Sequence, residues 1–155
     1  MYKTEAIITK VENFKENHLS ISVYSSEYGQ KSLVVFGGKS KKKNSTYVKG
    51  SLNNIEFDDN NVCLSSTSIN TFKWFLFSKY ELKAIDYFCF LINKLLFLDD
   101  QNSNVISYYL LLISKLNERS NYLPELLLLE LEILKASGYQ PDLNESVLKL
   151  SLIHI

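Results

Sequence analysis

Between residues 31 and 50 the chain carries six lysines and no acid: Lys31, Lys39, Lys41, Lys42, Lys43 and Lys49. Four of them fall within five positions, 39 to 43. An ammonium group is a compact, strongly hydrated point charge, suited to phosphate oxygens rather than to base edges. A lysine cluster of this kind gives sequence-independent affinity for a polyanion, and that affinity falls with salt as counterions are released. Phe36 and Tyr47 flank the cluster, one on each neighbouring apolar stretch. Aromatic rings beside a basic loop allow bases to stack while phosphates are held. The competing reading is structural: Phe36 and Tyr47 as core residues, and the lysines as a solvated loop protecting a sheet edge.

Other chemistry is hard to find. His18 and His154 are the only histidines, and neither has a carboxylate pair at helical spacing, so no metal site or histidine-based acid–base pair is expected. Gly37-Gly38-Lys39-Ser40 ends like a phosphate loop, but Leu33 stands where the first glycine belongs and another strand follows. There is no GxSxG elbow for a nucleophilic serine. Cys63 and Cys89 match neither a zinc spacing nor a redox pair and read as reduced, buried thiols. The expectation is a protein that is not an enzyme and needs no cofactor.

The lysines need a scaffold, and the period of the apolar residues describes one. Leu19, Ile21 and Val23 alternate with Ser20, Ser22 and Tyr24, a period of two. Further strand-like stretches lie at Ala6 to Val11, at Leu33 to Phe36, at Tyr47 and Val48 together with Leu52 to Phe57, and at Val62 to Ser66. Turn residues separate them: Glu16-Asn17, Glu27-Tyr28-Gly29, Gly37-Gly38, Asn53-Asn54 and Asp58 to Asn61. Five short strands in this space predict a small barrel of the OB type.

Beyond residue 70 the pattern lengthens. It predicts a short helix near 71–78 and a longer one near 80–98. A third helix runs from Ser103 to Leu116 or Asn117, and a fourth from around Pro124 to Gly138. A last short helix is expected from Asp142 or Asn144 to Leu152. The run Leu126 to Leu134 is apolar on nearly every side, as a helix inside a bundle would be. Phe72, Trp74, Phe75 and Phe77 read as the seam between the two parts, and Tyr108 to Ile113 as core. The fold class is therefore α+β: an amino-terminal five-stranded OB-type barrel over 1–68 and an all-α helical domain over 69–155. A barrel of that size buries little of its own surface and should lean on the first helices.

Composition agrees with a folded chain. Of 155 residues, 46% are hydrophobic and 22% charged. The seventeen basic and seventeen acidic residues balance overall, but residues 1–57 hold nine lysines against five acids. The remainder reverses the sign, so a basic front half points to an anionic partner. No apolar run reaches 18 residues, and no membrane span or signal peptide is expected.

The stretch TEAIITKVENFKENHLSISVYSSEYGQKSLVVFGGKSKKK resembles the amino-terminal OB domain of the RecO recombination mediators. The matching features are Glu5-Ala6-Ile7, Asn17-His18-Leu19, Glu27-Tyr28-Gly29 and Gly37-Gly38-Lys39-Ser40-Lys41. A second stretch, LLLLELEILKASGYQPDL over 126–143, resembles that family's leucine-rich helix with its Gly-Tyr and Pro-Asp-Leu. Two departures stand out. Lys49-Gly50-Ser51 replaces the family's Leu-Gln-Pro, and no cysteine follows Cys89 to build the four-cysteine zinc element of many members. Ile155 comes soon after the Pro-Asp-Leu, so the chain reads as a shortened member.

The resemblance implies a non-enzymatic mediator of DNA repair and recombination in the bacterial cytoplasm, associated with the nucleoid. Such a protein binds single- and double-stranded DNA and anneals complementary strands. It works with RecR and the carboxyl-terminal tail of single-strand-binding protein to load RecA. Within the family pattern, Lys39, Lys41 and Lys42 fall on the DNA-contacting face. Lys31, Lys43 and Lys49 are added on charge, and Tyr47 on its aromatic position. The alternative is a protein-interaction module whose helical half binds a partner and whose lysine loop only solubilises.

Overall fold

The computed structural model describes residues 1–69, 77–97 and 103–139. The opening half is one antiparallel sheet of five strands: β1 (Tyr2–Phe14), β2 (His18–Ser25), β3 (Gly29–Val35), β4 (Leu52–Phe57) and β5 (Cys63–Ser68). A short helix, α1 (Lys41–Asn44), sits between β3 and β4, and α2 (Lys79–Leu95), α3 (Ser103–Asn117) and α4 (Leu123–Ala136) follow the sheet. The strand order is β3-β2-β1-β4-β5. The sheet curls because β1 serves two partners, pairing with β4 over Tyr2 to Ile7 and with β2 over Ala6 to Phe14. A bulge between Ile8 and Lys10 adds the bend this requires.

The two edges meet at a single parallel bridge, Val34 to Val62, supported by the Val34 N–H donating to the Asn61 carbonyl at 2.9 Å. The architecture is of the OB type, but a lone bridge is not a ladder, so the sheet is not closed as a barrel. This corrects the expected closed form.

Alternation places the core. Ala6, Ile8, Leu19, Ile21, Val23, Leu33, Val35, Ile55 and Phe57 point into the curl and are buried. Ile7, Tyr24 and Leu52 point outward and are equally buried, because α2, α3 and α4 cover them. The opening sheet therefore does lean on the helices. Phe88 of α2 stacks on Tyr109 of α3 with centroids 4.2 Å apart, and the Tyr109 hydroxyl donates to the Gly50 carbonyl at 2.5 Å. Asn93 of α2 accepts from Thr9 and Gln30, each at 2.9 Å, and donates to the Thr9 carbonyl.

Helix starts follow capping rules. Ser78 and Glu81 occupy the capping-box positions of α2, and the Ser78 N–H donates to the Glu81 carboxylate. Pro124 stands in the first turn of α4. The expected second, third and fourth helices are thus found close to their predicted limits. The helix near 71–78 lies mostly outside the described residues. Trp74, Phe72, Phe75 and the helix after Asp142 lie wholly outside them.

Three expectations need correction. Asn53-Asn54 is not a turn but the middle of β4. Asn53 is fully buried there because its amide is satisfied: it accepts from Ser51 Oγ at 2.9 Å and donates to the Thr46 carbonyl and Ser66 Oγ. Tyr47 and Val48 are not strand, and lie in the connection from α1 to β4. The leucine-rich run is not enclosed on all sides. Leu129 and Ile133 are buried, while Leu127, Leu128, Leu131 and Leu134 are only half-buried.

Candidate nucleic-acid interface

Three chain segments meet at one end of the sheet because consecutive strands are antiparallel. β1 ends there, β2 begins there, and β3 ends there. Lys15, Glu16 and Asn17 form the turn from β1 to β2, and Phe36 to Ser40 leave β3 beside it.

The glycine pair is structural. Gly37 has φ +65°, in the left-handed region, and Gly38 lies against Leu19, where a Cβ would meet Cγ at 2.9 Å. The Gly37 N–H donates to His18 Nδ1 at 3.1 Å, and the Phe36 ring meets the His18 ring edge-on, centroids 4.8 Å apart. The glycines thus let a tight turn press against β2, and the turn leads into four residues of helix rather than the long helix of a nucleotide-binding loop.

That turn fixes the lysines. Lys39 donates its backbone N–H to the Asn17 carbonyl at 3.5 Å and its ammonium to the Lys15 carbonyl at 2.8 Å. Lys43 reaches back to the Phe36 carbonyl at 3.3 Å. Lys41 and Lys42 are exposed on α1. Successive helical residues point about 100° apart, so α1 fans its ammonium groups around one short axis. The expected loop at 39–43 is therefore a turn and a helical turn. Lys15 joins the group with φ +54° and its ammonium 5.4 Å from the Phe14 ring centroid. Lys15, Lys39, Lys41, Lys42 and Lys43 form one basic end, with Glu16 as the acid in the adjoining turn. Phe36 and Phe14 are exposed beside it.

The other candidates lie elsewhere. Tyr47 is buried, its hydroxyl 3.8 Å from Cys63 Sγ, and burial pushes the phenol well above its ordinary pKa. It cannot serve as a stacking platform, which corrects that assignment. Lys49 pairs with Asp86 of α2 at 2.6 Å, across the seam between sheet and helices. Lys31 sits on β3 and lines a separate cleft with Tyr2, Tyr28 and Asp59. Both cysteines are free and buried, and burial raises both thiols, Cys89 to about 12.

Lys15 was missed by the sequence argument, which followed local lysine density. The signal was topological: a β1–β2 turn and the exit of β3 must share one end of an antiparallel sheet. Phe36, named from the sequence as a flanking aromatic, is exposed because it follows the last inward residue of β3, Val35.

The fold and this basic end define an OB-type domain with an attached helical bundle. Residues 1–61 match the family model described as Recombination protein O N terminal. Residues 1–61 are thus similar to the amino-terminal domain of the RecO family, as the resemblance over the first stretch implied, and that similarity suggests a general role in recombination and repair. The second resembling stretch, 126–143, lies outside the matched residues. No curated protein matches the chain. Among the described residues, no helix is long and apolar enough to cross a membrane.

Proposed function

We propose that this chain is a non-enzymatic DNA-binding accessory protein of recombination and repair, whose basic end holds the phosphates of a DNA strand without regard to sequence. The carrying observation is the tie between Lys39 and Lys15, which joins two turns into one surface bearing five lysines. Lysines at fixed spacing release counterions on binding. About five phosphate contacts give a log–log salt slope near −3.5 on a single strand, at roughly −0.7 per contact. The site consists of Lys39, Lys41, Lys42 and Lys43 together with Lys15. Phe36 keeps the stacking role considered for it from the sequence, and Phe14 takes the place of Tyr47.

Within this reading the protein anneals complementary strands and helps load RecA, with RecR and the tail of single-strand-binding protein as partners, in the bacterial cytoplasm. These finer roles come from the family resemblance. A gel-shift titration of the intact chain at two salt concentrations tests the core of the proposal. Retardation at low salt that weakens steeply at high salt supports it.

The alternative, a protein-interaction module, has one observation in its favour. Phe90 of α2 and Leu111 of α3 are more than half exposed on the helical side. That reading requires no DNA retardation even at low salt, together with a stable protein complex.

A further inference from the structure

The single bridge between β3 and β5 leaves a gap between β3 and the β4–β5 turn. Side chains line this gap and leave a cleft of about 340 Å³. That volume is near the lower end of small-molecule sites, which run from about 300 to 1,000 Å³. Phe57 is its buried floor, and the Tyr2 ring stacks on Phe57 with centroids 5.2 Å apart and planes 25° apart. Tyr28 stands edge-on to both rings, at 5.6 Å from Tyr2 and 5.5 Å from Phe57. The opposite wall is the turn carrying Asp58, Asp59 and Asn61.

The carboxylates decide what this cleft can accept. Asp58 is committed to its own turn, accepting from the Asn60 and Val62 N–H groups at 2.9 and 2.8 Å. Asp59 accepts the Tyr2 hydroxyl on Oδ1 at 2.7 Å, which fixes its carboxylate at the aromatic wall. Two carboxylates against the one ammonium of Lys31 leave the lining net negative, which disfavours a phosphate. An aromatic ring carrying an amino group is favoured instead, because it stacks on the tyrosines while its N–H₂ donates to a carboxylate.

We propose that the cleft takes one unpaired nucleobase bearing an exocyclic amino group, from the same strand whose phosphates lie on the lysine end. The inference rests on the DNA-binding reading above and adds to it a preference for single strands, since a paired base cannot enter. The placement fits the way OB domains bind oligonucleotides, across the β2–β3 face between the β1–β2 and β4–β5 loops. Lys15 belongs to the first of those loops and Asp59 to the second. From Lys31 at the cleft to Val35 before the basic turn is about 13 Å of strand at roughly 3.3 Å per residue, a span that a few nucleotides of extended single strand can cover.

Nucleosides separate this site from the lysines because they carry no phosphate. The intact chain is titrated with cytidine and with thymidine while the aromatic proton resonances of Tyr2, Tyr28 and Phe57 are followed by NMR. Cytidine is expected to shift these three rings in a saturable way, with an apparent affinity several-fold above that of thymidine. Asp59→Leu keeps the bulk of the wall, removes both acceptor oxygens and should bring the two nucleosides level. Tyr2→Ala should weaken both by roughly tenfold. Thermal melts of both variants confirm that they fold. Absence of shifts with cytidine at tens of millimolar overturns the proposal. So does a cytidine preference that survives Asp59→Leu, since the amino group would then have another acceptor. Loss of oligonucleotide binding in lysine variants with the nucleoside shifts intact supports both sites. Salt-dependent DNA binding without nucleoside shifts removes the base site and leaves the phosphate site standing.

Discussion

The ammonium group of Lys39 donates to the backbone carbonyl of Lys15, 2.8 Å away, joining the turn after β1 to the turn after β3. This holds two cations side by side on a surface that has no enclosing walls. The carbonyl offsets part of the positive field of Lys39, and Lys15 itself has a left-handed backbone, with φ +54°. A left-handed non-glycine residue costs about 1 to 2 kcal/mol. Lys15→Gly should therefore raise the stability of the fold, read as a higher denaturation midpoint, while lowering DNA affinity through the lost charge. Equal loss of stability and affinity would separate Lys15 from the interface.

Gly38→Ala tests the support beneath the lysines. Its new methyl group would sit 2.9 Å from Leu19 Cγ, a buried side chain with little room to move. Overpacking of this kind costs about 1 to 3 kcal/mol. The unfolding free energy should fall by that amount, and Leu19→Ala in the same chain should make the alanine at 38 cheaper, measured as a double-mutant cycle.

The sheet-to-helix seam is held by Tyr109. Its hydroxyl is buried and bonded to the Gly50 carbonyl, and burial raises its pKa well above the ordinary tyrosine range. Tyr109→Phe leaves that carbonyl without its donor, a loss of about 1 to 3 kcal/mol. Phe88→Ala should cost more, about 3 to 5 kcal/mol, because it empties space under the same stack. Lys49→Gln, which breaks only a half-exposed ion pair with Asp86, should cost less than about 1 kcal/mol and leave the salt dependence of DNA binding unchanged.

Cys89 predicts a pH dependence. Its folded pKa is raised to about 12, against about 8.5 for a free thiol. The folded state therefore holds its proton more tightly than the unfolded state. The contribution is fully present below about pH 8.5 and is lost as pH rises from there toward the folded value. Denaturation midpoints measured from pH 7 to 11 should be flat at first and then fall. In the native chain at pH 8, neither thiol should react quickly with a disulfide reagent, whereas both should react after unfolding.

The sequence stated some of this plainly and hid the rest for physical reasons. The alternation Leu19, Ile21, Val23 predicted β2, since a half-buried strand must alternate. Ser103 and Pro124, read as helix-start residues, predicted α3 and α4. Asn53 misled, because a buried asparagine with satisfied hydrogen bonds has the same letter as one in a turn. Tyr47 misled in the same way: an aromatic beside lysines can face in or out, and it faces Cys63. The lysine density at 39–43 was visible as composition, but its alliance with Lys15 came from strand order, which local pattern does not encode.

The most direct test of the account measures single-stranded DNA affinity against salt for the intact protein and for a variant in which Lys39, Lys41, Lys42 and Lys43 are all glutamine. The account predicts a log–log slope near −3.5 for the natural protein, falling to about −0.7 in the variant, with unchanged thermal stability. An unchanged slope in the variant, or no binding by the natural protein at low salt, would contradict it.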